Sequence, residues 1–253
     1  MSPDPRKPSK AERQADARAK ARAMREQRER AARRKRLGLV TAAALVAAAV
    51  VAVVVVAVVS GQEDDVPQAT PTSFTEDGGY VTGEADAPVS VTIYQDYQCP
   101  FCAQFEQTNG EFISGLRDSG DISVTYHPLN LLSRFGDYSV RSASAAVCVA
   151  EEAPEQFLAF NDALYDNQPP EGGDGLSDAQ ITSVADEAGV PGDVDSCITS
   201  GRYTDWVDQV TEDRDERVQG TPTVLVDDQQ VEDVAQFQAV VTDAVAGTAP
   251  ASS

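Results

Sequence analysis

The amino-acid sequence predicts an α/β domain that contains a helical subdomain and follows a single transmembrane helix. Three observations lead to this fold class. A strand, a helix and a second strand follow one another between residues 89 and 126, helical patterns dominate about 137–217, and residues 37–59 form an apolar run. The 253 residues divide into a basic tail at 1–36, the transmembrane helix at 37–59, a linker at 60–79, the domain at 80–246 and a flexible tail at 247–253.

The apolar run is long enough to cross a membrane. Its 23 residues from Leu37 to Val59 contain no Asp, Glu, Lys or Arg, and a helix rising 1.5 Å per residue then spans a hydrocarbon core of about 30 Å. The tail before it has 14 Lys or Arg against 5 Asp or Glu. The positive-inside rule therefore places the amino terminus in the cytoplasm and the domain outside it, at the cell membrane. A secretory signal cleaved near Ser60 is the alternative, but signal peptides have shorter apolar regions and shorter heads.

The chain after this run is strongly acidic. It has 6 Arg and 36 Asp or Glu, which gives a net charge of 6 − 36 = −30. Such a surface repels phosphates, so a nucleic-acid partner is excluded.

The domain begins with a strand-helix-strand unit. Residues Val89 to Tyr94 alternate apolar and polar side chains, which predicts a strand, and Ile122 to Tyr126 repeat this pattern. Between them, aromatic and aliphatic residues recur at helical spacing as far as Gly120. Parallel pairing of the two strands is the default for such a unit.

The remaining elements follow in order. Four helices are predicted in the insertion, at Ser139–Glu151, Pro154–Tyr165, Ser177–Ala188 and Tyr203–Val218. A short hairpin turns at Asp227 and Asp228, and a last helix runs from Val234 to Val245.

Cys99, Pro100, Phe101 and Cys102 form a CxxC motif at the start of the first helix. Pro100 suits a first helical turn, and the helix amino terminus favours a thiolate at Cys99. The motif therefore predicts a redox-active pair that needs no metal and no cofactor. Half of a zinc site is the alternative, but the second closely spaced pair of such sites is absent.

Cys148 and Cys197 are the other two cysteines. A bond between them would close a loop of about 50 residues and stabilise the fold by about 4 kcal/mol, so we interpret them as a structural disulfide. Two buried free thiols are the alternative, because the sequence does not show that the two sulfurs meet.

Three segments resemble the DsbA-like branch of the thioredoxin superfamily: Tyr94 to Cys102, Gly83 to Val89, and Gly220 to Thr223. The resemblance covers about residues 80–246 and implies a thioredoxin fold with an inserted helical domain, acting on unfolded secreted proteins. The extra pair Cys148 and Cys197 resembles the second disulfide of actinobacterial members.

The resemblance also implies roles for the site residues. Cys99 would be the exposed nucleophile and Cys102 the resolving thiol. Pro222 would be a cis-proline, with a trans-proline at a strand edge as the alternative, and Thr221 would present its backbone to the client.

Pro100 and Phe101 would contact the client too. Phe101 replaces the histidine of the best-known oxidant and donates no hydrogen bond, so we expect a reduction potential between about −120 and −270 mV.

Three other polar or aromatic positions are weaker candidates. Asp96 lies three residues before Cys99 and is a candidate proton acceptor, with an exposed acid as the alternative. His127 is interpreted as structural, and Tyr203 and Trp206 as packing residues.

The predicted function is an extracytoplasmic, membrane-anchored thiol-disulfide oxidoreductase that introduces disulfides into reduced secreted proteins. A membrane quinone-linked reoxidase is the partner that the resemblance implies. The alternatives are a reductant or isomerase on the same fold, and a non-enzymatic tethered binding domain in which the CxxC disulfide is only structural. Insulin reduction and oxidative refolding would separate the three.

Overall fold

A mixed five-stranded sheet lies at the centre of the fold. The structure is a computed structural model that describes residues 69–248. The strands in chain order are β1 Tyr80–Thr82, β2 Val89–Gln95, β3 Ile122–Pro128, β4 Thr223–Val226 and β5 Gln229–Gln230.

Helices cover the sheet and form the insertion. They are α1 Pro100–Asp118, α2 Tyr138–Glu152, α3 Phe157–Asp166, α4 Asp178–Glu187, α5 Asp195–Ser200, α6 Thr204–Glu212 and α7 Phe237–Thr248. Single 3-10 turns occur at Ser133–Phe135, Pro154–Gln156 and Val234–Gln236.

The strand order is β1-β3-β2-β4-β5. The central pair β2 and β3 is parallel, as predicted, while β4 runs antiparallel to β2 and pairs Thr223 with Tyr94. The carboxyl end of β2 and the amino end of β4 therefore lie side by side at the same end of the strands. This topology brings the CxxC motif next to the Thr221-Pro222 segment.

The sheet carries the core of the domain. Val89, Val91 and Ile93 of β2 are at most 1% exposed, because this strand is internal in the sheet and packed by helices. On one side α1 meets α7, where the rings of Phe105 and Phe237 lie 5.1 Å apart. Burial of these apolar side chains is the main stabilising contribution.

A disulfide joins two helices of the insertion. Cys148 in α2 and Cys197 in α5 are bonded, with 49 residues of separation, and both are fully buried. The predicted structural disulfide is confirmed, and the alternative of two free thiols is wrong. A zinc site that uses all four cysteines is excluded too, because these two sulfurs bond to each other.

The observed boundaries correct two predicted helices. The helix predicted at Tyr203–Val218 ends at Glu212, because the chain then turns, with Val218 N–H bonded to Asp215 O at 2.9 Å. The last helix continues to Thr248, so the tail predicted to begin at 247 starts with helical residues.

The folded domain also begins before residue 80. Thr72 donates from its backbone N–H (2.8 Å) and its hydroxyl (3.0 Å) to the carboxylate of Glu151, and Phe74 packs its ring 5.1 Å from that of Trp206. Residues 69–79, predicted as linker, thus pack against the domain.

The predicted basic tail and transmembrane helix, at 1–36 and 37–59, lie outside the described residues. Within 69–248, no helix has the length and apolar character needed to cross a bilayer.

Candidate active site

Cys99 occupies the boundary between a strand and a helix. The chain leaves β2 at Gln95, and Cys99 follows as the residue that caps α1, with extended backbone angles and Pro100 in the first turn. Its carbonyl oxygen accepts hydrogen bonds from Cys102 N–H (3.1 Å) and Ala103 N–H (3.2 Å). Cys99 therefore lies at the positive end of a 19-residue helix, as the sequence predicts.

The two sulfurs of the motif are both present as thiols and both largely covered. Cys99 is 5% exposed and Cys102 is 2% exposed. The expectation of an exposed Cys99 is wrong in degree, because the segments around Thr221 and Leu132 surround the helix end. Cys99 instead opens onto a cavity of about 510 Å³ that it lines together with Phe101 and Thr221.

The surroundings separate the acidities of the two thiols. Hydrogen bonding by the Cys102 thiol, then by the Thr221 side chain and the N–H groups of Cys102 and Phe101, lowers the pKa of Cys99 to about 6 against the opposing effect of burial. Burial, followed by the neighbouring Cys99 sulfur, raises the pKa of Cys102 well above its usual value. At neutral pH Cys99 is therefore the thiolate and Cys102 the thiol.

The segment before β4 faces the Cys99 sulfur. In its protonated form the Cys99 thiol donates to the carbonyl oxygen of Thr221 at 3.2 Å, and the Thr221–Pro222 peptide bond is cis. The hydroxyl of Thr223 donates to Gly220 O at 2.7 Å, which holds this turn. The structure thus brings together all four residues of the motif with Thr221 and Pro222.

Phe101 is the most exposed large apolar side chain near the motif, at 67%. It lines a second cavity, of about 280 Å³, with Phe105, Pro222, Val234 and other residues. An apolar surface therefore borders the reactive sulfur.

Asp96 is fully buried, so the alternative of an exposed acid is wrong. Its carboxylate accepts hydrogen bonds from Ser139 Oγ (2.7 Å), Gln98 N–H (2.8 Å) and Leu132 N–H (2.9 Å). Burial raises the pKa of Asp96 despite these bonds. The side chain ties the loop before Cys99 to the segment at Leu132 and to α2, and its role in proton transfer stays a prediction.

His127, Tyr203 and Trp206 lie where packing residues are expected. His127 is 2% exposed, and its ring stacks on Tyr94 at 4.3 Å. Burial lowers the pKa of His127 to about 4, so the ring is neutral. Tyr203 is buried, and Trp206 packs on Phe74.

Two features near the site were missed by the sequence analysis. The Gln168 side chain donates from Nε2 to the carbonyl oxygens of Tyr97 (2.8 Å) and Cys99 (2.9 Å), and so holds the motif to the insertion. Glu106, one helical turn after Cys102, is half-buried and faces the exposed Asp162 of α3, and burial followed by the Asp162 charge raises the pKa of Glu106 to about 8. The sequence does contain a signal for Glu106, because an acidic residue four positions after Cys102 lies on the same face of the helix. The sequence contains no such signal for Gln168.

Comparisons with known proteins agree with this geometry. A family profile described as Thioredoxin matches residues 75–243. The oxidised crystal structure of DsbA from Mycobacterium tuberculosis is 33% identical with a TM-score of 0.59, and the match covers 66% of this chain and 92% of that chain. Disulfide bond formation protein D of Bacillus subtilis is 25% identical over 171 residues, which are 64% of this chain and 74% of that protein.

A kinase also shares part of this chain. The serine/threonine-protein kinase PknE of Mycobacterium tuberculosis is 32% identical over 130 residues, which are 49% of this chain and 23% of the kinase. The chain thus spans less than a quarter of this curated relative, and the similarity carries over no kinase activity.

Proposed function

We propose that this chain, which belongs to the thioredoxin family and to its DsbA-like branch, oxidises the thiols of secreted proteins to disulfides. The observation that carries the proposal is the asymmetry of the two thiols: Cys99 lies at a helix amino terminus with its pKa lowered to about 6, while the pKa of Cys102 is raised. A stabilised Cys99 thiolate favours the reduced enzyme, and so favours oxidation of the client.

The reaction is a pair of thiol-disulfide exchanges. In the oxidised enzyme, a client thiolate attacks the Cys99 sulfur, the Cys99–Cys102 bond breaks, and the Cys102 sulfur leaves and takes up a proton. A second client thiolate then attacks the client sulfur of the mixed disulfide, and Cys99 leaves as a thiolate. The client loses two electrons and the enzyme pair gains two, so a low pKa at Cys99 makes the second step faster.

The segment at Thr221 and Pro222 is the proposed binding site for the client backbone. Thr221 lies beside the Cys99 sulfur, two residues before β4 begins, where an extended client can pair by its main chain. Pro100 and the exposed ring of Phe101 would contact the client's apolar side chains. This arrangement fits unfolded clients, because only these present extended backbone and apolar side chains together.

Residues 37–59 are proposed to anchor the enzyme, with the domain outside the cytoplasm. The support is the uncharged 23-residue run after a tail with 14 Lys or Arg. A quinone-linked membrane oxidase would then return the Cys99–Cys102 disulfide. Protease treatment of intact protoplasts should degrade residues 69–248 and leave the tail; protection of the domain would contradict this topology.

A trapping experiment tests the activity. With glutathione disulfide supplied as the oxidant, the Cys102→Ala variant of the full-length chain should accumulate mixed disulfides between Cys99 and reduced clients, since the Cys102 thiol that would attack Cys99 and release them is gone. The Cys99→Ala variant should form none. Oxidative refolding of a reduced client should require both cysteines, and insulin reduction should be slow. Absence of both activities would leave the structural disulfide alternative.

The in vivo redox state settles the direction of electron flow. Thiol trapping should find Cys99 and Cys102 mostly as a disulfide. A mostly reduced pair would instead identify a reductant or an isomerase.

A further inference from the structure

Some arginines of the domain form salt bridges with acidic residues and others do not. The chain after residue 36 contains six arginines against 36 acidic residues and no lysine. Four of the six form salt bridges: Arg117 with Asp118, Arg141 with Asp137 and Asp178, Arg202 with Glu152, and Arg217 with Asp215. Within residues 69–248, Arg134 and Arg214 have no carboxylate within salt-bridge distance.

These two arginines line the same cavity, the one of about 510 Å³ onto which Cys99 opens. They come from distant segments, Arg134 from the 3-10 turn at Ser133–Phe135 and Arg214 from the turn after α6. The cavity has one acidic lining residue, Glu171. Two guanidinium groups and one carboxylate give a local charge of 2 − 1 = +1 beside the reactive sulfur, in a domain whose net charge is strongly negative.

Main-chain groups hold both guanidinium groups in place. Arg214 donates to Thr211 O (2.6 Å) and Val218 O (3.1 Å), and Arg134 donates to Leu131 O (3.2 Å) while stacking on Phe135 at 4.4 Å. Each guanidinium has five N–H donors. Three donors of Arg214 and four of Arg134 thus remain without an acceptor among the described residues.

We propose, as a refinement that rests on the proposed function, that Arg134 and Arg214 bind a carboxylate of the client next to its reacting cysteine. Guanidinium groups match carboxylates in charge and geometry. An acidic client is repelled at long range by this acidic domain, and a positive cavity at Cys99 offsets that repulsion where the sulfurs must meet. The preferred substrate class is therefore a reduced client segment with Asp or Glu beside the cysteine.

Three matched peptides test this specificity. They carry two cysteines and differ at one position beside the first, which is Asp, Asn or Lys. The oxidised full-length chain is mixed with each peptide and the second-order rate of oxidation is measured at about 0.15 M salt, where charges beyond about 8 Å are screened. Because the neighbouring charge changes the peptide's own thiol, each rate is divided by the rate of that peptide with glutathione disulfide.

The Asp peptide should react about fivefold faster than the Asn peptide, the size expected of a partly exposed charge-assisted contact, and the Lys peptide should react more slowly than both. The ratio of Asp to Asn should approach one in the Arg134→Gln/Arg214→Gln variant. Arg134→Gln alone, at an exposed position, should lower the ratio even if the double variant folds poorly. The charge-matched control is Arg202→Gln, whose partner is Glu152; it should keep the wild-type ratio.

Equal corrected rates for the three peptides would overturn this inference and leave the oxidase proposal intact. A ratio that Arg202→Gln lowers as much as Arg134→Gln would overturn it as well, because the effect would then come from net charge. Failure to oxidise any of the peptides would instead reject the proposed function.

Discussion

Cys99 and Cys102 lie three positions apart on one helix, yet their environments give them opposite acidities. Cys99 receives hydrogen bonds from the Cys102 thiol, from the Thr221 side chain and from two backbone N–H groups, which lower its pKa. Cys102 lies deeper, where burial disfavours its charged form. Hydrogen bonding therefore makes the Cys99 sulfur the better leaving group, and burial keeps Cys102 as the resolving thiol.

The pH dependence of alkylation tests this division. In the reduced full-length chain, modification of Cys99 by iodoacetamide should rise with a midpoint near pH 6, the pKa of its thiol, because only the thiolate reacts. Cys102→Ala should move the midpoint upward, since it removes the largest cause of the shift. Cys102→Ser keeps a hydrogen-bond donor beside Cys99 and should move the midpoint less. Equal midpoints in all three proteins would show that the Cys102 side chain does not lower the pKa of Cys99.

The raised pKa of Glu106 predicts that the protein loses stability as the pH rises. Its folded pKa is about 8, whereas an unfolded chain releases that proton near pH 4.3. Between these values the folded state holds the extra proton, so the free energy of unfolding should fall as pH rises from about 4.3 to 8. Asp162 of α3 and Arg117 of the same helix are the charges that face it.

Glu106→Gln should flatten this fall and stabilise the protein most at pH 8. Urea unfolding at several pH values measures it, with Glu111→Gln, at an exposed position of the same helix, as the control. A Glu106→Gln protein that keeps the wild-type pH slope would show that another group is responsible.

The site could be predicted where residue type and order carry its chemistry. Cys99 and Cys102 were found because a CxxC pair at the start of a helix has few other roles, whereas Thr221 and Pro222 were found only through the resemblance of Gly220 to Thr223 to the DsbA-like branch. Gln168 was not found, because its role depends on two carbonyl groups 69 and 71 residues away. Arg134 and Arg214 were missed because the sequence does not show that they line one cavity or that no carboxylate lies near enough to pair with them.

At the scale of elements, regular alternation and strong turn residues were predictable. β2, α1 and β3 appeared in order, and the hairpin turns at Asp227 and Asp228, which both have positive φ, as two-residue hairpin turns require. β1 was missed, because three residues are too few to show alternation. The end of α6 at Glu212 was missed as well, because no Gly or Pro follows there to stop the pattern.

The buried disulfide between α2 and α5 should contribute strongly to stability. A separation of 49 residues corresponds to about 4 kcal/mol in the chain-entropy model. The Cys148→Ala/Cys197→Ala variant should therefore lose about that much free energy of unfolding in urea, measured without reductant and with Cys99 and Cys102 blocked by alkylation in both proteins.

The same variant should keep the alkylation midpoint of Cys99 near pH 6 if it folds, because neither Cys148 nor Cys197 is among the groups that shift the pKa of Cys99. A loss below about 1 kcal/mol would mean that the unfolded chain is already compact around these positions.

At the scale of the whole molecule, charge is the least balanced property. The chain carries 41 acidic and 20 basic residues, and 14 of the basic ones precede residue 37. The domain therefore folds with few attractive pairs to offset the repulsion among its carboxylates. Its salt bridges are largely at the surface, where each contributes about 1 kcal/mol or less.

Salt should consequently stabilise this protein. Raising NaCl from about 0.01 M to 0.1 M shortens the screening length from about 30 Å to 10 Å, which weakens long-range repulsion more than the short salt bridges. The melting temperature of the full-length chain at pH 7 should rise over this range. Near pH 4.2, the isoelectric point of the sequence, the carboxylates are partly protonated and the salt effect should nearly vanish. A melting temperature that falls with salt at pH 7 would mean that the few arginine pairs outweigh the repulsion.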